Sequence, residues 1–144
     1  MSCKITLIGA GSVVFAKTMV CDLLQFPEFR DLEISLMDID PARLKVAAAM
    51  MKRVAAKLNV PATITATTDR REAIRGAKYV LCTIQVGGYK PSTVRDFEIP
   101  AKYGLKQTIG DTLGIGGIFR GLRTIPVMLD IARDIADVAH PDCL

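Results

Sequence analysis

The sequence predicts an α/β fold built on a doubly wound parallel sheet, and three observations predict it. Short β-rich apolar runs alternate with helical patterns in the order βαβαβαβ, a glycine turn joins the first strand to the first helix, and the second strand closes on acidic residues. Strands that alternate with helices favour parallel pairing through right-handed crossovers.

The first strand is Lys4 to Ile8, and it runs into the turn Gly9-Ala10-Gly11-Ser12. A helical pattern follows through Phe15, Met19, Leu23 and Phe26 and stops at Pro27. Glu33 to Asp38 reads as the second strand, after which Pro41 opens a helix at its tolerated first position. In that helix Leu44, Ala47, Ala48, Met51, Val54, Ala55 and Leu58 share one face, and the basic residues lie elsewhere as a solvated surface. Thr63 to Thr67 is a third strand. The short helix after it has capping-box spacing at Asp69 and Glu72 and an end marked by Gly76. Tyr79 to Ile84 is apolar almost throughout, the pattern of a strand covered on both faces. After Gln85 a glycine-rich stretch leads into a long helical pattern from Ile118 to Val138, which Pro126 is expected to kink or restart.

The 144 residues are 50% hydrophobic, enough for one domain over residues 1–144 with a core of its own. The net charge of +4 comes from 19 basic and 15 acidic residues spread along the chain, which argues against a nucleic-acid partner. The apolar runs fall short of the roughly 20 residues needed to cross a bilayer, and the segment after Lys4, which resembles a signal-peptide core, is interrupted by Lys17 and followed by no small-x-small cleavage site. A soluble cytoplasmic protein is expected. Cys3, Cys21, Cys82 and Cys143 lie far apart and His140 is the single histidine, a pattern unsuited to a disulfide scaffold or a Cys/His zinc site. Cys82, in a strand, reads as a small core hydrophobe.

The chemistry concentrates at the first turn. Glycines at Gly9 and Gly11 let the backbone approach a pyrophosphate, and the helix that starts near Ser12 points its free N–H groups and positive dipole end at that anion. The alternative is a tight turn that merely needs glycine. A third glycine is missing, because Val14 stands where Gly-x-Gly-x-x-Gly would place it. Asp38 lies 24 residues beyond that position, near the ~20 expected of the acid that reads the adenosine ribose. A carboxylate there repels a 2′-phosphate, so the expected cofactor is NAD and not NADP. Asp40 competes for the role, yet Asp40-Pro41 also reads as the cap of the next helix. The segment Gln107 to Gly117, which precedes Arg120 and Arg123, is either a loop over the carboxyl ends of the strands or a flexible surface loop.

The residues Lys4 to Ser12, Leu36-Met37-Asp38-Ile39-Asp40-Pro41, Gln85-Val86-Gly87-Gly88-Tyr89 and above all Gln107 to Pro126 (QTIGDTLGIGGIFRGLRTIP) together resemble the glycoside hydrolases of family 4, most closely their α-galactosidase branch. The resemblance covers essentially the whole chain. It accommodates Val14 and Phe15, since the family pattern is Gly-x-Gly-Ser-x-x-Phe. It implies a Rossmann-like domain, NAD and Mn2+ as cofactors, and a small-molecule α-glycoside as substrate. It also implies a reaction by oxidation at C3 of the sugar, elimination from C1, addition of water and return of the hydride, unlike the usual pair of carboxylates. By position, Gly9, Gly11, Ser12 and Asp38 would bind NAD, Val86, Gly87 and Gly88 would line its nicotinamide side, and Asp111 and Thr112 would face the sugar.

Two departures refine the resemblance. Relatives acting on 6-phosphorylated sugars carry a phosphate-reading arginine where this chain has Lys90-Pro91-Ser92-Thr93, which favours an unphosphorylated sugar. The family's metal ligands and base are expected beyond Leu144, so the 144 residues read as an NAD-binding N-terminal part, inactive alone and with its sheet incomplete at the C-terminal end. In the strand order 3-2-1-4-5-6 a fifth strand would begin near Leu144. The outer edge of the fourth is therefore expected to lack a partner, and self-association into a homo-oligomer is expected with it. A 2-hydroxy acid dehydrogenase and a free-standing nucleotide-binding regulator are the competing readings.

Overall fold

The computed structural model describes residues 3–108, 110 and 112–144. They form two compact units, Met1–Ile84 with Asp134–Leu144, and Gln85–Arg133. The first unit holds four strands, β1 (Lys4–Ile8), β2 (Glu33–Met37), β3 (Thr63–Thr67) and β4 (Tyr79–Cys82), in the order β3-β2-β1-β4 with every pairing parallel. That is the expected doubly wound order. Leu7 of β1 stands level with Leu36 of β2 and Leu81 of β4. β1 and β2 are buried at all but their first residue, as central strands covered on both sides must be.

The edges differ from expectation. β4 is only partly buried and Tyr79 is exposed, because the strand lies at the rim of the four and has neighbours on fewer sides. Its outer edge is nevertheless not bare. Leu144 donates its N–H to Lys78 O at 3.0 Å and accepts from Val80 N–H at 2.9 Å, the bonding of a parallel strand at its first residue.

α1 (Val13–Gln25) buries Ala16, Val20 and Leu24 against the sheet, with Leu23 partly buried. The stripe is one residue away from the one built on Phe15 and Phe26, both of which are more than half exposed. Small Ala16 lets the helix approach the strands where a phenylalanine would hold it off. α2 (Pro41–Leu58) buries Leu44, Ala47, Met51 and Ala55 as its pattern requires and ends on Asn59 in the left-handed region. α3 (Arg70–Ile74) takes only half of a capping box: Asp69 accepts from Glu72 N–H at 3.0 Å, but Glu72 turns its carboxylate to the Thr67 hydroxyl. Arg70 and Arg71 tie α3 to Asp134, and Arg71 also to Asp137.

The second unit contains an irregular helical turn over Gly88–Thr93, then α4 (Val94–Ala101) and the part of α5 (Gly114–Val138) that ends at Arg133. α5 runs through Pro126 as one element. The expected restart does not occur: a proline forfeits one intrahelical bond, and 25 residues of helix supply the rest.

Candidate functional site

The turn after β1 is held on three sides. Gly9 has φ of +87°, and a side chain there would bring its first carbon within 2.5 Å of the Thr83 carbonyl at the end of β4. The N–H groups of Gly9 and Ala10 both donate to Met37 O, at 2.9 and 3.0 Å, and Ser12 N–H donates to Gly9 O at 3.0 Å. Gly11 N–H donates to Asp38 Oδ2 at 2.7 Å. A first side-chain carbon on Gly11 would lie 2.6 Å from that oxygen and 2.9 Å from Arg43 Cβ.

Ser12 begins α1 without a capping bond from its hydroxyl, and the first N–H groups of any helix have no intrahelical carbonyl to meet. Those of Val13, Val14 and Phe15 therefore face outward with the positive end of the helix dipole, an arrangement suited to an anion. Beside them the Asp38 carboxylate is half-buried, with Oδ1 accepting Asp40 N–H at 2.9 Å. Asp40 itself accepts from Ala42 and Arg43 N–H and caps α2. Asp40 is thus engaged as a helix cap, and Asp38 as the acceptor for the Gly11 and Asp40 N–H groups. Gly9, Gly11, Ser12 and Asp38 converge on one corner at the carboxyl ends of β1 and β2, where doubly wound sheets hold nucleotides.

In the second unit Gly87 and Gly88 adopt φ of +81° and +66°, and a side chain on Gly87 would overlap Ser92. Val86 is half-buried in the same turn, which Gly88 N–H closes by donating to Gln85 O at 3.1 Å. Thr112 is exposed, and Asp111 lies outside the described residues. Two groups that sequence reasoning left without a role organise this unit. Arg123 sets its guanidinium on the buried Asp96 carboxylate through Nη1 at 2.8 Å and Nη2 at 2.5 Å. These hydrogen bonds hold the arginine above its ordinary pKa. Gln107 donates to Asp96 O at 3.2 Å and accepts from Gly116 N–H at 3.3 Å, stitching the glycine-rich segment to α4. A cavity of about 300 Å³ beside the ion pair is lined by Ser92, Arg95, Ile99, Phe119 and Leu122.

Cys82 is half-buried, and burial pushes its thiol pKa up, which suits an inert cysteine better than a reactive one. Among the described residues no three His, Cys, Asp or Glu side chains gather as a metal site. Among the same residues no helix is long and apolar enough to cross a membrane.

Comparison with known proteins gives the chain a family. Residues 4–143 match the model of the family 4 glycosyl hydrolases. The chain is 52% identical to an alpha-galactosidase of Bacillus subtilis (strain 168), over 96% of this chain and 32% of the relative. It is 44% identical to an alpha-galactosidase of Rhizobium meliloti (strain 1021), over 97% of this chain and 28% of that one. The fold resembles the 6-phospho-beta glucosidase of Thermotoga maritima solved with manganese, NAD+ and glucose-6-phosphate. That likeness has a TM-score of 0.82 and 28% identity over 95% of this chain and 32% of the other. The chain thus spans about a third of the length of the relatives it matches. By its sequence over nearly all of its length, this chain belongs to family 4 of the glycosyl hydrolases.

Proposed function

We propose that this chain is the NAD-binding part of an α-galactosidase-like enzyme of family 4, acting on a small unphosphorylated α-glycoside. The observation that carries the reading is the corner at Gly9, Gly11, Ser12 and Asp38, which offers outward N–H groups for a pyrophosphate and a carboxylate for a ribose diol. The alpha-galactosidases at 52% and 44% identity support the sugar class. The stretch Lys90-Pro91-Ser92-Thr93, without an arginine, supports the absence of a phosphate on it.

Bound NAD would supply the hydride acceptor for oxidation at C3 of the sugar. The chain's own residues bind and orient. The first turn of α1 receives the diphosphate, and Asp38 takes the adenosine ribose hydroxyls and repels a 2′-phosphate. Val86, Gly87 and Gly88 are assigned to the nicotinamide side, and Asp111 and Thr112 to the sugar. No group of side chains among the described residues fits Mn2+. The wide spacing of Cys3, Cys21, Cys82 and Cys143, with no close pair among them, supports a reducing compartment such as the cytoplasm. Self-association is supported by Ile118, Leu122, Ile125 and Leu129 of α5, each more than half exposed.

Calorimetric titration of the protein with NAD and NADP tests the reading. Tighter binding of NAD, lost in Asp38→Ala, is expected, whereas a preference for NADP would overturn the assignment.

A further inference from the structure

The acid that follows β2 is engaged by the backbone of the protein itself. Of the backbone donors in the turn, those of Gly9 and Ala10 go to Met37 O and that of Ser12 to Gly9 O. The remaining one, on Gly11, is held by a side chain 27 positions away in sequence, through Asp38 Oδ2 at 2.7 Å. Asp38 is in turn fixed through Oδ1 by Asp40 N–H at 2.9 Å, and Asp40 is anchored as the cap of α2. A carboxylate has about four acceptor positions on its two oxygens. Two are used here and two remain, the number a vicinal ribose diol would fill.

We propose that Asp38 is a positioning residue for the phosphate-binding turn as well as the reader of the ribose. Its carboxylate latches Gly11 and so sets the direction in which α1 presents its first N–H groups to a dinucleotide diphosphate. The inference rests on the NAD reading above and extends it. One side chain links the two halves of the nucleotide, so a change at Asp38 reaches the diphosphate even when the ribose offers nothing to bind. Asparagine is the informative replacement. It keeps the size but has a single acceptor oxygen, and it turns an NH2 group toward one of the two N–H donors.

The experiment is a pair of calorimetric titrations, of the wild-type protein and of Asp38→Asn, with NAD and with an NAD analogue lacking both hydroxyls of the adenosine ribose. Asp38→Asn is expected to weaken both ligands, and the analogue by about tenfold, the effect of losing a hydrogen bond to a charged group. A variant that weakens NAD but leaves the analogue unchanged would show that Asp38 reads only the ribose and would overturn the proposal. Amide exchange of the ligand-free protein provides a test that needs no cofactor. Gly11 N–H should exchange slowly in the wild type and faster in Asp38→Asn, while the amides of Leu7 and Leu36 stay protected. A Gly11 amide that exchanges freely in the wild type overturns the latch, whether or not the variant folds. If the wild type binds no NAD while its Gly11 amide is protected, the cofactor reading fails and the latch stands as a property of the turn.

Discussion

Arg123 of α5 and Asp96 of α4 meet fork to fork, with two N–H groups on two carboxylate oxygens at 2.8 and 2.5 Å. The Asp96 side chain is almost fully buried, while the Arg123 side chain as a whole is 28% exposed. Arg123 Nε is itself buried with no hydrogen-bond partner among the described residues. Gln107 reaches the Asp96 carbonyl and Gly116 from the other side. The glycine-rich segment is therefore tied down at its start and at its end.

Removing one partner leaves the other buried and unpaired. Arg123→Met should cost about 2–3 kcal/mol, less than a fully buried pair because the arginine is partly solvated. Asp96→Asn, which keeps the shape and one acceptor, should cost less. Denaturant unfolding of both variants checks the order, and equal losses would mean that charge is not what the site requires.

The two glycines of the first turn should be intolerant for different reasons. At Gly9 the backbone sits in the left-handed region against Thr83 O, whereas at Gly11 a side chain meets Asp38 and Arg43. Gly11→Ala should destabilise by about 1–3 kcal/mol through overpacking and weaken NAD binding together with it. Thermal unfolding with and without NAD measures both. A stable variant with wild-type affinity would show that Asp38 and Arg43 can withdraw without consequence.

The buried stripe of α1 predicts opposite outcomes at neighbouring apolar positions. Leu24→Ala, at a site 1% exposed, should cost about 3 kcal/mol, while Phe15→Ala, at a site 65% exposed, should stay within about 0.5 kcal/mol. Chemical denaturation of the pair discriminates. A large loss at Phe15 would place that ring in the core.

Acid should loosen the junction of α3 with the end of α5. Burial pushes the Asp134 carboxyl up, but hydrogen bonds from Arg71 and Arg70 outweigh it and hold the pKa below its ordinary value. A folded-state value below the unfolded one, about 3.9, means stability that is fully present above that pH. It is lost as the pH falls through the lower folded value. Asp134→Asn should therefore be less stable than wild type at pH 7 and converge with it in strong acid. Unfolding midpoints across that range test the sign, and parallel curves would remove Asp134 from the account.

The sequence by itself determined what local chemistry determines. The alternation of strand and helix, the glycine turn after β1, the cap at Asp40 and the acid at Asp38 follow from residue types at fixed spacings, and the sheet order followed from the usual order of a doubly wound sheet. The family was legible in QTIGDTLGIGG and its flanks. Tertiary structure decided what depends on distant neighbours. Whether Ala16 or Phe15 faces the sheet depends on how closely α1 approaches it, and periodicity tolerates either. That Gly11 must be small because of a carboxylate 27 positions later, or that Arg123 finds Asp96 and not solvent, depends on contacts between segments that local pattern does not encode. Even the edge of β4 was decided by a backbone from the far end of the chain, since the hydrogen bonds of a parallel strand come from residues that only folding brings alongside.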